Sequence, residues 1–174
     1  MRVEAYLDEI LKKENLKFEG RAGEFEKGYV KLMENVSYVR NTCVNLSENV
    51  GSGEAKGVLS EMYLNWFDNG FMGTWEEVVG VAEASDDRFQ NAKKLHNEKK
   101  KYRMYTISND VPFMNFVIHE TAEGKRKVFF GWNSNQTRDE YLRSAIFSSQ
   151  DENLINVFEE TFKKLKSAAQ EVEF

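Results

Sequence analysis

The sequence predicts an α/β protein, a single mixed β-sheet with helices packed on its faces. Three observations lead there. Apolar residues recur at helical spacing near both ends of the chain, several short segments between them are rich in aromatic and β-branched residues, and helical patterns fall before, between and after those segments. At 174 residues the chain fits one domain, and a domain of that size buries roughly 70% of the surface its unfolded chain exposes.

Residues 2–14 place Tyr6, Leu7, Ile10 and Leu11 on one helical face, and residues 22–36 do the same with Phe25, Tyr29, Leu32, Met33 and Val36. From Ser37 to Leu46 the pattern turns to alternation, which predicts the first strand. Glycines at 51, 53 and 57 mark a loop, followed by a short helix carrying Leu59, Met62, Tyr63 and Trp66. Thr74 with Glu77 three residues on is a capping-box signature and predicts a helix to about Ala84; a second helix follows and ends near Lys100.

Tyr102–Ser108, Met114–His119 and Lys127–Trp132 read as strands, the last two as an antiparallel hairpin, and Ser144–Ser148 as a further edge strand. Ser149 with Glu152 makes another capping box, opening a final helix. Leu154, Ile155, Phe158, Phe162 and Leu165 form its apolar face, with Glu159, Lys163, Lys164 and Lys166 mainly on the other.

Composition narrows the function classes. Cys43 is the only cysteine, so no internal disulfide forms and a reducing, cytoplasmic setting is the expectation. Acids interrupt the first ten residues where a signal peptide needs an apolar run, and nowhere do roughly 18 apolar residues follow one another, so no membrane-spanning segment is expected. A net charge of -5 disfavours non-specific binding to nucleic acid.

No complete catalytic motif is present. Two histidines, His96 and His119, and one cysteine do not make a zinc-ligand pattern, and no metal or cofactor is expected. Gly51-Ser52-Gly53 lacks the later glycine and lysine of a phosphate loop. A Cys43–His pair would activate a thiolate only if the fold brought the two together, and a buried strand cysteine is the plainer reading. Lys93, Lys94, Lys99, Lys100, Lys101 and Arg103 form a basic cluster at a predicted helix end, where positive charge complements the helix dipole.

Tyr102–Ala168 taken together, with the segment Phe113-Met114-Asn115-Phe116-Val117-Ile118-His119-Glu120, a strand ending Gly131-Trp132-Asn133, then Ile146-Phe147-Ser148 and a long closing helix, resembles the C-terminal part of a phospholipase D-like domain. That family's signature is His-x-Lys-x4-Asp. Its histidine forms a covalent phosphohistidine, its lysine stabilises phosphate charge, and two such motifs face each other across the site. Laid on this chain, the signature falls on Phe113, Asn115 and Glu120. Phenylalanine cannot act as the nucleophile, and neutral asparagine offers hydrogen bonds where a cation offset phosphate charge.

The resemblance therefore implies a degenerate member, with residues 1–36 as an N-terminal helical segment and 37–174 as a phospholipase D-like lobe of one domain. It implies a non-catalytic regulatory or ligand-sensing module, an accessory of a bacterial regulatory or defence system. Asn115, Glu120, Asn133 and Asn135 are its expected cleft residues, with Trp132 as a stacking face for a small polar or phosphorylated ligand. One motif per chain implies a homodimer that shares a cleft. The alternatives are a phosphodiesterase or nuclease that takes its histidine from His96 or His119, and a module that binds another protein.

Overall fold

The computed structural model describes residues 12, 15–25, 35–43, 73–80, 93, 101–108, 115–132 and 143–173. Among them lie eight strands: β1 Leu16–Arg21, β2 Val36–Cys43, β3 Thr74–Gly80, β4 Lys101–Ile107, β5 Asn115–Thr121, β6 Arg126–Trp132, β7 Ala145–Ser149 and β8 Gln170–Glu171. A 17-residue helix, α1, Glu152–Ala168, precedes β8. All eight strands form one sheet in the order β1-β7-β6-β5-β2-β3-β4-β8. β2, β3 and β4 are parallel, and every other pairing is antiparallel. The mixed α/β sheet expected from the sequence is the observed fold.

Strand alternation divides the side chains. Val78, Tyr105, Ile107, Phe116, Ile118 and Val128 face α1 and pack on Ile155, Phe162 and Leu165. On the opposite face Phe129 and Ile146 pack with Ala22, and Phe25 leans on them from a helical turn at 22–25. The predicted hairpin is present as β5–β6, closed by a turn in which the Thr121 and Gly124 backbones bond Lys125 and Thr121.

Several local readings give way to tertiary context. Thr74–Gly80 is the strand β3 and not a capped helix. It lies between two parallel neighbours, Trp75 to Gly80 are all buried, and Thr, Trp and Val suit a strand covered on both faces. Residues 145–149 form an interior strand, flanked by β1 and β6, and not an edge; β1 itself falls in a stretch the sequence reading left without an element. The N-cap of α1 is Asp151, whose Oδ1 accepts from the Leu154 N–H at 3.0 Å, while Ser149 ends β7 and accepts the Asp151 N–H. The glycine loop at 51–57 and the helix expected over Leu59–Trp66 lie outside the described residues.

Glu159 is also corrected: it is buried, not on the solvent face of α1. It accepts a short hydrogen bond from Arg40 of β2, which also reaches Glu120 at 3.4 Å and stacks over the Tyr38 ring at 3.7 Å. One turn on from Phe162, Lys166 donates to Glu76 of β3 at 2.5 Å. Two ion-pair systems thus flank the apolar contact and fix where α1 crosses the sheet.

Candidate functional site

In a sheet with parallel strands, ligands bind where the strands end at their carboxyl termini. Here that end carries Cys43 of β2, Gly80 of β3 and Ile107 of β4, and β5 begins beside it with Asn115. Asn115 is 1% exposed and faces Trp132 in register. The next residue, Phe116, donates its N–H to the Thr42 hydroxyl at 3.0 Å, which ties the start of β5 to the end of β2.

The ladder shifts between Asn115 and Phe116 because β6 has one extra residue, Gly131. Its φ is +119°, and a Cβ there would sit 2.5 Å from the Ala145 carbonyl oxygen. Only glycine lets the start of β7 approach β6 so closely at a positive φ. The bulge places Trp132 opposite Asn115.

Of the expected cleft residues, the structure brings Asn115 and Trp132 together along the backbone ladder and separates Glu120 from both. Glu120 stands five residues along β5, roughly 17 Å from Asn115, on the α1 face with Arg40. Asn115 alternates with Val117 and His119 on the other face, as the packing of Phe116 and Ile118 beneath α1 requires. Glu120 therefore belongs to the helix-docking ion pairs and not to a cleft wall shared with Asn115. Phe113, Asn133 and Asn135 lie outside the described residues.

A buried polar row accompanies Asn115 on its face. Asn41 accepts from the Trp75 indole N–H at 2.5 Å and donates to Glu77 at 2.8 Å, and the Tyr102 hydroxyl donates to the other Glu77 oxygen at 2.7 Å. Asn41, Glu77 and Tyr102 are at most 4% exposed. This row was missed in the sequence, because Glu77 was assigned to a helix cap. The signal was a polar Asn41 inside a β-pattern and two glutamates inside Thr-Trp-Glu-Glu-Val-Val.

His119 is 4% exposed, with its ring 5.0 Å from that of Phe129. Burial, with the nearby Lys127 adding to it, pushes its pKa down to about 3, so the imidazole is neutral and packed as a core group. Cys43 lies four residues along β2 from Val39, the register partner of His119, which puts the two backbones roughly 13 Å apart; the fold does not pair them. His96 lies outside the described residues. Lys93, Lys101 and Arg103 of the basic cluster are exposed, and its other members are likewise outside. Among the described residues no group of three metal-ligating side chains occurs, and no helix is long and apolar enough to cross a membrane.

By sequence, no family model and no curated protein matches the chain. By structure, it is similar to Nuc from Salmonella typhimurium, a phospholipase D family member, with a TM-score of 0.59 and 11% identity over 91% of this chain and 98% of that one. NucT from Helicobacter pylori gives a TM-score of 0.56 and 8% identity over 90% of this chain and 97% of that one. TrmBL2, an archaeal chromatin protein whose structure shows a novel mode of DNA binding, gives a TM-score of 0.57 and 12% identity over 97% of this chain. This chain spans 60% of the length of TrmBL2. The fold is phospholipase D-like.

Proposed function

We propose that this chain is a non-catalytic phospholipase D-like domain that binds a small polar or phosphorylated ligand at the carboxyl end of β2 and the start of β5, as the sensing part of a bacterial cytoplasmic regulatory or defence system. The observation that carries the reading is Asn115. It is a buried, neutral amide at the end of the sheet where this architecture binds ligands, and it stands where the family signature has its lysine. A site built on an amide recognises polar groups by hydrogen bonds and does not by itself offset the charge of a phosphoryl transition state.

In this reading residues 1–174 act as one domain, and β1 (Leu16–Arg21) extends the sheet of the lobe 37–174, so residues 1–36 are not a purely helical segment. Two copies join across a two-fold axis with the Phe113–Glu120 segments near the shared interface, and Trp132, Asn133 and Asn135 complete the ligand's surroundings.

Purified protein tested against a chromogenic phosphodiester and against nucleic acids should show no turnover. A panel of polar and phosphorylated metabolites should contain one that raises the melting temperature, since a ligand at 100 times its Kd stabilises by about 2.7 kcal/mol. Turnover that survives purification and disappears in His96→Ala would overturn the proposal in favour of a phosphodiesterase. Co-purification of a protein partner without any metabolite effect would favour the interaction module, and light scattering at twice the 20.3 kDa chain mass would support the dimer.

A further inference from the structure

The end of the sheet opposite Asn115 holds a cavity of about 600 Å³. β1 begins there at Leu16, paired with Ser149 at the end of β7, and α1 opens three residues beyond Ser149 at Glu152. Lys127, near the start of β6, lines the same cavity and stands five residues from Trp132, roughly 17 Å along the strand. This cavity is therefore separate from the site proposed above and does not depend on it.

Three lysines line it, Lys12, Lys17 and Lys127. Lys17 and Lys127 donate to the two oxygens of one carboxylate, Glu19, at 2.8 and 2.7 Å, which holds their ammonium nitrogens within roughly 8 Å of each other. Ser148 also donates to Glu19, at 2.6 Å, so this carboxylate is fixed against the sheet with 10% of its side chain exposed. Lys17, 70% exposed, is the loose member of the pair; a solvated ion pair contributes little, and its ammonium is free to turn to another anion. Lys12 is exposed and, among the described residues, has no ion pair. Asn15, at φ +54° with its N–H on the Lys12 carbonyl, makes the turn that keeps Lys12 at the cavity beside the start of β1.

The acids that line the cavity are committed elsewhere. Asp151 caps α1 through Oδ1 and accepts from Asn15 through Oδ2 at 3.3 Å, and Glu152 pairs with Arg126. Three ammonium groups thus have Glu19 as their one carboxylate, which leaves two positive charges unmatched on a protein whose net charge is -5. Two unmatched charges within reach of each other attract a dianion more strongly than a monoanion. A phosphomonoester carries about -1.5 to -2 at neutral pH and three acceptor oxygens, whereas a nucleic-acid backbone carries one charge per phosphate. The geometry points to a phosphomonoester site in this cavity. The phosphate lies among Lys12, Lys17 and Lys127, and the remaining space takes the polar body of a small metabolite, with the exposed Gln150 amide at its wall.

Isothermal titration of the full chain with inorganic phosphate, glycerol 3-phosphate, glycerol and acetate tests this, alongside Lys12→Gln, Lys17→Gln and the double variant. Both lysines are exposed, so the variants should keep the wild-type melting temperature. Glycerol 3-phosphate should bind the wild type at least tenfold tighter than acetate, and glycerol should not bind. Each single variant should weaken glycerol 3-phosphate by about tenfold, as loss of a charge-assisted contact requires. Acetate binding as tightly as glycerol 3-phosphate overturns the dianion assignment. Glycerol 3-phosphate binding that is unchanged in the double variant overturns the lysine site and leaves the reading of the Asn115 end standing. An unphosphorylated DNA oligonucleotide that binds through both lysines, while neither phosphate compound binds, overturns the phosphomonoester in favour of a nucleic-acid surface. No binding of phosphate or glycerol 3-phosphate to the wild type overturns this site, and the Asn115 end keeps its own test in the metabolite panel.

Discussion

Replacing Arg40 by methionine should cost more than replacing the glutamate it holds. Arg40, with 18% of its side chain exposed, serves two carboxylates, Glu159 at 10% and Glu120 at 32%. Arg40→Met leaves Glu159 buried under α1 without its cation, and breaking a buried pair in this way costs about 3–5 kcal/mol. It also removes the stack on Tyr38, which contributes about 0.5–2 kcal/mol. Glu159→Gln keeps an acceptor of the same shape and leaves Arg40 its contact to Glu120, so its cost should be near 1–2 kcal/mol. Arg40→Met with Glu159→Leu removes both charges, and apolar replacement of a buried pair is often close to neutral, within about 1 kcal/mol of wild type. Urea denaturation of the four proteins at pH 7, followed by circular dichroism, measures these three differences from wild type. If Arg40→Met lies within about 1 kcal/mol of wild type, or Glu159→Gln is the more damaging single change, these ion pairs do not hold the helix.

Phe162, 2% exposed, should lose about 3–5 kcal/mol on change to alanine, whereas half-buried Phe158 should lose less, about 1.5–3 kcal/mol, despite its contacts with Phe116 and Phe130; the reverse order in chemical denaturation would contradict the placement of α1. Because the His119 pKa is lowered to about 3 in the fold, the unfolded chain takes up a proton below pH 6.5 that the folded chain refuses, so stability falls as pH drops from about 6.5 toward 3. His119→Leu should flatten that slope, and an imidazole that titrates near pH 6.5 by NMR in the folded wild type would refute the burial argument. Gly131→Ala should destabilise by about 1–3 kcal/mol through its positive φ and the nearby Ala145 carbonyl, and a neutral result in thermal melting would mean that the bulge is not a fixed feature.

Legibility in the sequence followed range. The β5–β6 hairpin and α1 were readable because their signals are local: aromatic and branched runs separated by Glu123-Gly124, and an apolar stripe ending in Leu165. β3 was not, since Thr74 and Glu77 satisfy a capping rule that operates over three residues, whereas the strand is stabilised by β2 and β4, which lie more than twenty residues away on either side. Glu159 misled for the same reason. Its partner Arg40 is 119 residues distant, and nothing in the helix sequence announces it. In the candidate site, Asn115 could be singled out by the family signature, but strand alternation, not spacing in the signature, decides that Glu120 leaves its face.

The two ends of the sheet bear on how such a protein avoids its own copies. An unpaired strand edge is a template for another chain, yet β1 carries Gly20 at φ +113° where its register slips, with Lys17 and Arg21 exposed along it. The opposite border is β8, a strand of two exposed residues. A slipped, basic border and a very short one are poor seeds for sheet-to-sheet growth toward fibres. Concentrated solutions of the folded protein should therefore stay free of thioflavin-binding aggregates, and any pairing of two copies should go through side chains at the strand ends and not through continuation of the sheet.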